Sequence, residues 1–264
     1  MKKPIKILYA PYNIASMPAI TIDALNKIEG VIARGVAIDN NQYLDFGVNK
    51  KQNWNIHVVD SNVKKPWLYI INLFLAELSL IKRILWADII IWQWDIKIYM
   101  PHYWLIKLSK KPIIVEWLGS DIRIPEIVFE HNPYFQEAFK NNTYTYKKES
   151  KARSYWIQYK FKYLKAIPYL CPEMTLFLNR KLFPNYYSTF QRINLNNYIP
   201  NYPKLDNLSQ LKIIHSPSST GAKGTEYVRS AITKLKRKYN FEYVEITNKS
   251  HKEALNSIRT ADLF

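Results

Sequence analysis

Three segments of this sequence carry a short apolar run into a polar turn and then into a helical pattern. That order lets backbone N–H groups and a few side chains meet an anionic or hydroxyl-rich ligand. The first is APYNIASMPA, where Asn13 and Ser16 precede a helix that starts near Pro18. It has no GxGxxG spacing, so dinucleotide binding is disfavoured, and a plain turn accounts for it equally well. The second is EWLGSDIR, in which Gly119, Ser120, Asp121 and Arg123 combine a tight turn, a cap and a cation. Its plainer account is a helix start, with Ser120 or Asp121 accepting from a backbone N–H. The third is HSPSSTGAKGTEYV, which brings Ser218, Gly221, Lys223 and Gly224 to a helix start. A lysine beside flexible backbone at the positive end of a helix suits a phosphate. This is not a P-loop, because Lys223 precedes Gly224 instead of following it. Taken alone, Lys223 is more simply a solvated surface charge.

Other chemistries are poorly supported. His57, His102, His131, His215 and His251 are scattered with no ligand spacing, so no metal site is expected. The single cysteine, Cys171, excludes an intramolecular disulfide framework and offers no zinc cluster, which reads as an intracellular chain.

Charge points to an acidic partner. Thirty-eight Lys and Arg against 21 Asp and Glu leave a net charge of +17, suited to nucleic acid, anionic lipid or a nucleotide-linked substrate. Frequent Lys, Asn, Ile and Tyr make codon bias an equal account of part of that excess. The basic residues concentrate between 141 and 165, where Lys147, Lys148, Lys151, Arg153, Lys160, Lys162 and Lys165 face Glu149 alone, with Tyr155, Trp156, Tyr159, Phe161 and Tyr163 interleaved. Helical spacing puts Tyr155 and Tyr159 on one side, so the first expectation is the buried stripe of a surface helix. Contact with anionic headgroups comes second and nucleic acid last.

These segments need elements to hold them. Strands are expected at Ile5 to Ala10, Ile56 to Val59, Asp88 to Trp92, Pro112 to Trp117 and around AIPYLCPEM. Helices are expected from Pro18 to Ala33, 67 to 86, 100 to 110 and Lys148 to Lys165. Alternation of this kind predicts an α/β fold with a parallel sheet covered on both faces. The run from Trp67 to Leu85 is long enough to raise a transmembrane question, but Glu77, Lys82 and Arg83 interrupt it and predict a half-buried helix.

The polar, proline-bearing stretch from Asn194 to Gln210 reads as a linker, with a boundary near Asn207 between a first domain, 1–207, and a second, 208–264. The second opens a new series: strand LKIIHS, helix Gly224 to Tyr239, strand FEYVEI and helix Ser250 to Arg259. TADLF at its end echoes WADIIIWQ at 86 to 93, as a third strand that begins at Asp262. Two strands and a stub bury little area, so the expectation is a fragment, or a shortened product with a protease-sensitive segment after about Asn194.

The succession NIASMP, ADIIIWQWD, KPIIVEWLGSDIR, YLCPEM and HSPSSTGAKGTEYVRSAITKL to HKEALNSIRTADLF resembles family-four retaining glycosyltransferases (glycosyl transferases group 1) of the GT-B fold. The resemblance spans nearly the whole chain. It implies two Rossmann-like domains facing across a cleft, the first holding a glycan or lipid-linked acceptor and the second, here incomplete, a nucleotide-sugar donor. No cofactor or metal beyond that substrate is implied. The location implied is cytoplasmic, or associated with the cytoplasmic face of a membrane. Lys223, with Gly224 and Ser218, matches the donor phosphate site; Asn13, Ser16, Gly119, Ser120, Asp121 and Arg123 match the acceptor side. Three departures count against transfer by this chain alone. Ser216, Pro217 and Ser218 stand where an arginine often precedes the lysine. Trp117 and Leu118 replace the histidine before the Gly-Ser-Asp turn, which leaves no catalytic residue assigned. The acidic motif that holds the donor sugar would lie beyond Phe264. The alternative is a non-catalytic basic module for anionic membrane surface or nucleic acid.

Overall fold

The computed structural model describes residues 3–14, 17–37, 66–144, 148–195, 211–217, 219–221, 223–247, 249 and 251–264. These form two units. The first comprises 1–44, 48–131 and 148–193, and the second 45–47, 132–147 and 194–264.

The first unit is a parallel sheet of six strands: β1 (Ile5–Ala10), β2 (Val31–Gly35), β3 (Ile89–Gln93), β4 (Ile113–Trp117), β5 (Ile167–Leu170) and β6 (Tyr187–Ser188), in the order β2-β1-β3-β4-β5-β6. Its helices are α1 (Met17–Leu25), α2 (Pro66–Trp86), α3 (Pro101–Ser109), α4 (Pro125–Phe129) and α6 (Lys151–Tyr163). The arrangement is Rossmann-like. Ile-rich strands buried on both faces are what a parallel sheet demands. Leu8, Ala10, Ile90, Trp92, Val115 and Trp117 pack on one side with Leu80 and Ile84 of α2, Tyr103 and Ile106 of α3, and Ile157 and Phe161 of α6. On the other side Tyr9 and Ala33 pack with Ile22 of α1, and Ile7 and Ile91 join them.

Most expected elements appear within a few residues of their predicted bounds. The main correction is the helix expected from Pro18 to Ala33. It stops at Leu25, and Val31–Gly35 is strand β2, paired with β1 from Ile5↔Val31 to Tyr9↔Gly35. Gly30 at φ +76 lets the chain reverse. Asn26 locks the corner, its side chain donating to the Ala33 carbonyl at 3.0 Å and accepting from the Ala33 N–H at 2.7 Å. Apolar residues at 28, 31, 32 and 33 fit either period, so sequence pattern alone could not separate them. Strand β6 was not foreseen. The strand expected at Ile56 to Val59 lies outside the described residues, as does the stretch 196–210 that holds the expected boundary near Asn207.

Helix α2 is half-buried, with Ala76, Leu80 and Ile84 inside and Ile70, Phe74, Leu78 and Leu85 exposed. Among the described residues no helix is long and apolar enough to cross a membrane.

The second unit contains helix α5 (Pro133–Lys140), strand β7 (Leu211–His215), helix α7 (Thr225–Leu235), strand β8 (Phe241–Glu245) and helix α8 (His251–Ile258). β7 and β8 pair in parallel from Leu211↔Phe241 to His215↔Glu245. The expected third strand begins as a parallel bridge between Ile213 and Leu263, on the opposite edge of β7 from β8, with Ile214 N–H donating to the Leu263 carbonyl at 2.9 Å.

Candidate functional site

In the first unit the chain leaves β1 in one direction to form β2 and returns on the other side to form β3. The carboxyl ends of β1 and β3 therefore flank a topological switch point, where open α/β sheets take ligands. Four polar side chains converge on this end of the sheet. The Tyr9 hydroxyl at the end of β1 donates to the Glu116 carboxylate of β4. Gln93 at the end of β3 donates to the same carboxylate at 2.9 Å. The Arg192 guanidinium pairs with its other oxygen and donates to the Tyr9 hydroxyl at 3.1 Å. Arg192 also lies 5.5 Å from the centre of the Tyr169 ring. Glu116 is 2 % exposed and Gln93 fully buried.

A buried carboxylate persists only when its oxygens are satisfied, and here both are. Burial and then the Glu116 charge push the Tyr9 phenol far up, so it remains a protonated donor. For Arg192, burial works against the charge, but the paired Glu116 carboxylate outweighs it and the pKa is raised. Sequence reasoning missed this cluster, because Gln93 falls just past the strand expected at Asp88 to Trp92 and Glu116 read there only as the end of a strand and the opening of EWLGSDIR. A polar residue at the end of IIIWQ or PIIVEW is nevertheless a signal: a side chain there is buried yet must be satisfied.

Gln93 also links the first two predicted segments. Its carbonyl accepts from the Ile14 N–H at 3.4 Å, which ties the β1 turn to the strand that holds Glu116. Within the β1 turn, Asn13 is buried and its side chain accepts from Ala19 N–H at 3.2 Å, bracing the start of α1. Ser16 lies outside the described residues.

At the end of β4, Asp121 is buried and its carboxylate accepts from three backbone N–H groups: Gly119 at 2.8 Å, Ile122 at 3.0 Å and Leu118 at 3.0 Å. Burial raises its pKa, and those N–H groups oppose the shift. Arg153 reaches the Ser120 carbonyl at 2.8 Å and the Asp121 carbonyl at 3.2 Å, while Arg123 pairs with buried Glu149 at 3.0 Å. A Cβ on Gly119 would meet the Arg123 guanidinium at 3.3 Å. This turn is thus organised from inside by Asp121 and from outside by two arginines.

On the α2–α3 side of the same strand ends lies a cavity of about 240 Å³ whose walls include Tyr12, Trp92, Trp94, Asp95 and Arg153. Lys160 of α6, itself buried, pairs with Asp95 and donates to the Ile96 carbonyl at 2.8 Å. Trp94 adopts φ 70, a left-handed conformation unfavourable for a bulky residue and most often retained at functional sites.

The long basic helix departs from expectation. Its buried face is Ser154, Ile157, Gln158, Lys160 and Phe161. Trp156, Tyr159 and Tyr163 are more than half exposed, whereas Tyr155 is partly buried against the core, so of the expected tyrosine stripe Tyr155 packs inward and Tyr159 joins an outward aromatic face. The reason is tertiary. Gln158 donates to Ser154 Oγ and the Phe177 carbonyl and accepts from the Asn179 N–H, and that network turns its face of the helix inward. Lys107 of α3 sits 3.1 Å over the Tyr163 ring.

In the second unit, Gly224 at φ 62 caps the start of α7 and Lys223 is exposed beside it. His215 Nε2 lies 3.0 Å from the hydroxyl of buried Thr225, joining the end of β7 to the first turn of α7. Ser218 lies outside the described residues.

No protein-family model and no curated protein matches the chain. Among solved structures it is similar to a UDP-GlcNAc 2-epimerase from Neisseria meningitidis bound to UDP-GlcNAc, at 12% identity over 97% of this chain and 75% of that one, with a TM-score of 0.47. It is similar to MurG from Acinetobacter baumannii at 11% identity over 99% of this chain and 72% of the other, TM-score 0.41. The calicheamicin glycosyltransferase CalG4 is similar at 9% identity, covering 93% and 64%, TM-score 0.39.

Proposed function

We propose that this chain is a glycosyltransferase-like protein of the GT-B type, with its first unit on the side of a glycan or lipid-linked acceptor and its second on the side of a nucleotide-sugar donor. One observation supports this best. The same parallel strand-and-helix device occurs in both units, each with a turn that leads from the end of its first strand into a helix start. Ligands of such sheets sit at the carboxyl ends of the strands, so two of them supply one end to each substrate.

On the donor side, Lys223, Gly224 and Ser218 are the phosphate contacts, with Lys223 and the α7 N-terminus stabilising the diphosphate as it leaves. On the acceptor side the candidate contacts are Asn13, Ser16, Gly119, Ser120, Asp121 and Arg123. Asn13 and Asp121 act through the backbone they hold rather than by reacting. The retaining, family-four character and the cytoplasmic location rest on the sequence resemblance.

The test is equilibrium titration of the full chain with UDP-, GDP- and ADP-linked sugars. Binding of one class, weakened roughly tenfold by Lys223→Ala, is expected, as befits loss of a charge-assisted contact. Failure to bind all three overturns the reading.

A second reading, peripheral contact with an anionic membrane surface, is favoured by the outward Trp156, Tyr159 and Tyr163, with Lys107 of α3 over the Tyr163 ring and exposed Lys162 adjacent in sequence. Exposed aromatic rings with lysines close by suit the headgroup layer. It is compatible with a lipid-linked acceptor.

A further inference from the structure

Helix α2 lends Leu73, Ala76 and Leu80 to the cavity beside the β1 and β3 ends, where Trp92 and Met100 join them. The indole N–H of Trp92 already donates to the Asp95 carbonyl at 3.2 Å, so this side chain offers the cavity only its ring. Leu73 is 39 % exposed, and Ile70 and Phe74 beside it are more than half exposed. Residues three and four apart are neighbours on a helix surface, so Leu73, Ile70 and Phe74 carry the apolar wall of the cavity onto the outside of α2.

Glu77, Asp95, Lys97 and Arg153 bring charge to the same walls, but not on equal terms. Both carboxylates are engaged. Glu77 accepts from the His102 backbone N–H at 2.9 Å and lies 2.9 Å from its Nδ1, and Asp95 pairs with Lys160. Lys97 is exposed, and neither it nor Arg153 has a carboxylate partner among the described residues. Arg153 directs Nη1 at the Ser120 and Asp121 carbonyls, at 2.8 and 3.2 Å, which fixes the guanidinium without neutralising it. A planar cation held in place with N–H groups to spare suits a phosphate. At about 240 Å³ the cavity falls below the roughly 300–1,000 Å³ usual for drug-sized ligands, which suits a headgroup and the first carbons of a chain rather than a whole lipid.

We propose that this cavity takes the phosphate end of an alkyl or isoprenyl phosphate, with Lys97 and Arg153 on the phosphate, Leu73, Leu80 and Trp92 on the first carbons, and the rest of the chain along the outside of α2. The acceptor is thereby narrowed to a lipid phosphate, which rests on the reading that the first unit lies on the acceptor side.

The experiment titrates the full chain by calorimetry with octyl phosphate, kept monomeric, and separately with octanol and inorganic phosphate. Octyl phosphate is expected to bind saturably and roughly tenfold or more tightly than either half alone. Lys97→Glu is expected to weaken it roughly tenfold while leaving octanol unchanged. Lys27→Glu, the same charge change just beyond the end of α1, is expected to alter it about twofold or less, since distant exposed charges are screened. Both lysines are exposed, so neither variant disturbs the core. Absence of octyl phosphate binding overturns the site. Inorganic phosphate that binds as tightly as octyl phosphate overturns the lipid in favour of a free anion, and octanol that does so overturns the role of the two cations. Equal losses in the two lysine variants overturn the site in favour of the net charge of the chain. Titration of the same sample with nucleotide-sugars separates the two claims. Donor binding without octyl phosphate binding sinks the site alone, whereas octyl phosphate binding without donor binding upholds the site and sinks the transferase reading.

Discussion

The backbone N–H of Lys212 donates to the Asp262 carboxylate at 2.7 Å, and the Lys212 carbonyl accepts from the Asp262 N–H at 2.9 Å. Lys6 and Asp88 make the same two bonds at 2.9 and 2.7 Å. In each unit, an aspartate just before a strand clamps the first strand of the sheet and sets the register of the strand that follows. The Ala-Asp echo between residues 87–88 and 261–262 is therefore a repeated structural device.

Asp88→Ala and Asp262→Ala each remove the side-chain half of a clamp, at an expected cost on the order of 1 kcal/mol. Amide exchange should quicken at Lys6 in the first variant and at Lys212 in the second. Unchanged protection at those amides would show the clamp to be incidental.

Arg192→Ala leaves the Glu116 carboxylate buried with only Tyr9 and Gln93 for company, and should destabilise the first unit by roughly 3–5 kcal/mol. Combining it with Glu116→Gln should recover a large part of that loss, because no charge then remains buried. Urea unfolding of the two variants measures both, and a double variant no better than the single would argue against charge as the cause.

Asp121→Asn keeps the shape of the side chain but replaces one acceptor oxygen with a donor that faces a backbone N–H. A loss of about 1–3 kcal/mol is expected. Because the turn it organises borders the proposed acceptor side, the variant should also weaken acceptor glycosides while leaving nucleotide-sugar affinity unchanged.

Arg229 donates to both oxygens of Glu245, at 2.8 and 2.6 Å, and this hydrogen bonding holds the Glu245 carboxyl below its usual range, against a smaller opposing effect of burial. The folded value is depressed, so the stabilisation is fully present above the usual glutamate range and is lost as pH falls through the depressed value. Thermal unfolding of the wild type and Glu245→Gln should differ at neutral pH and converge on acidification. A gap that stays constant with pH would contradict the linkage.

Replacing Trp156, Tyr159 and Tyr163 with serine should abolish binding of the chain to vesicles containing anionic lipid without altering its thermal unfolding, since all three side chains face outward. Co-sedimentation with anionic and with neutral vesicles checks this. Equal retention of the variant and the wild type on anionic vesicles would remove the membrane reading.

Sequence by itself determined the strands whose residues are predominantly apolar. Ile89–Gln93 and Ile113–Trp117 are too short for helices and too apolar for surface, so a parallel sheet covered on both faces was their only consistent home. It also determined the helices near 67 to 86 and 100 to 110, which form as Pro66–Trp86 and Pro101–Ser109, and, from the Ala-Asp echo, the pairing that begins with the Ile213–Leu263 bridge. Tertiary structure alone decided three things. It made residues 31–35 a strand, because their pattern fits both periods and only pairing with β1 selects one. It turned Tyr159 outward, because the Gln158 network reaches Phe177 and Asn179, positions that helical spacing cannot anticipate. It brought Glu77 to His102, 25 residues away, and Arg192 to Tyr9, 183 residues away. Local propensity acts over a few residues, whereas a buried polar group is satisfied by whatever the fold delivers, so the polar clusters at the strand ends became visible only once the chain had closed around them.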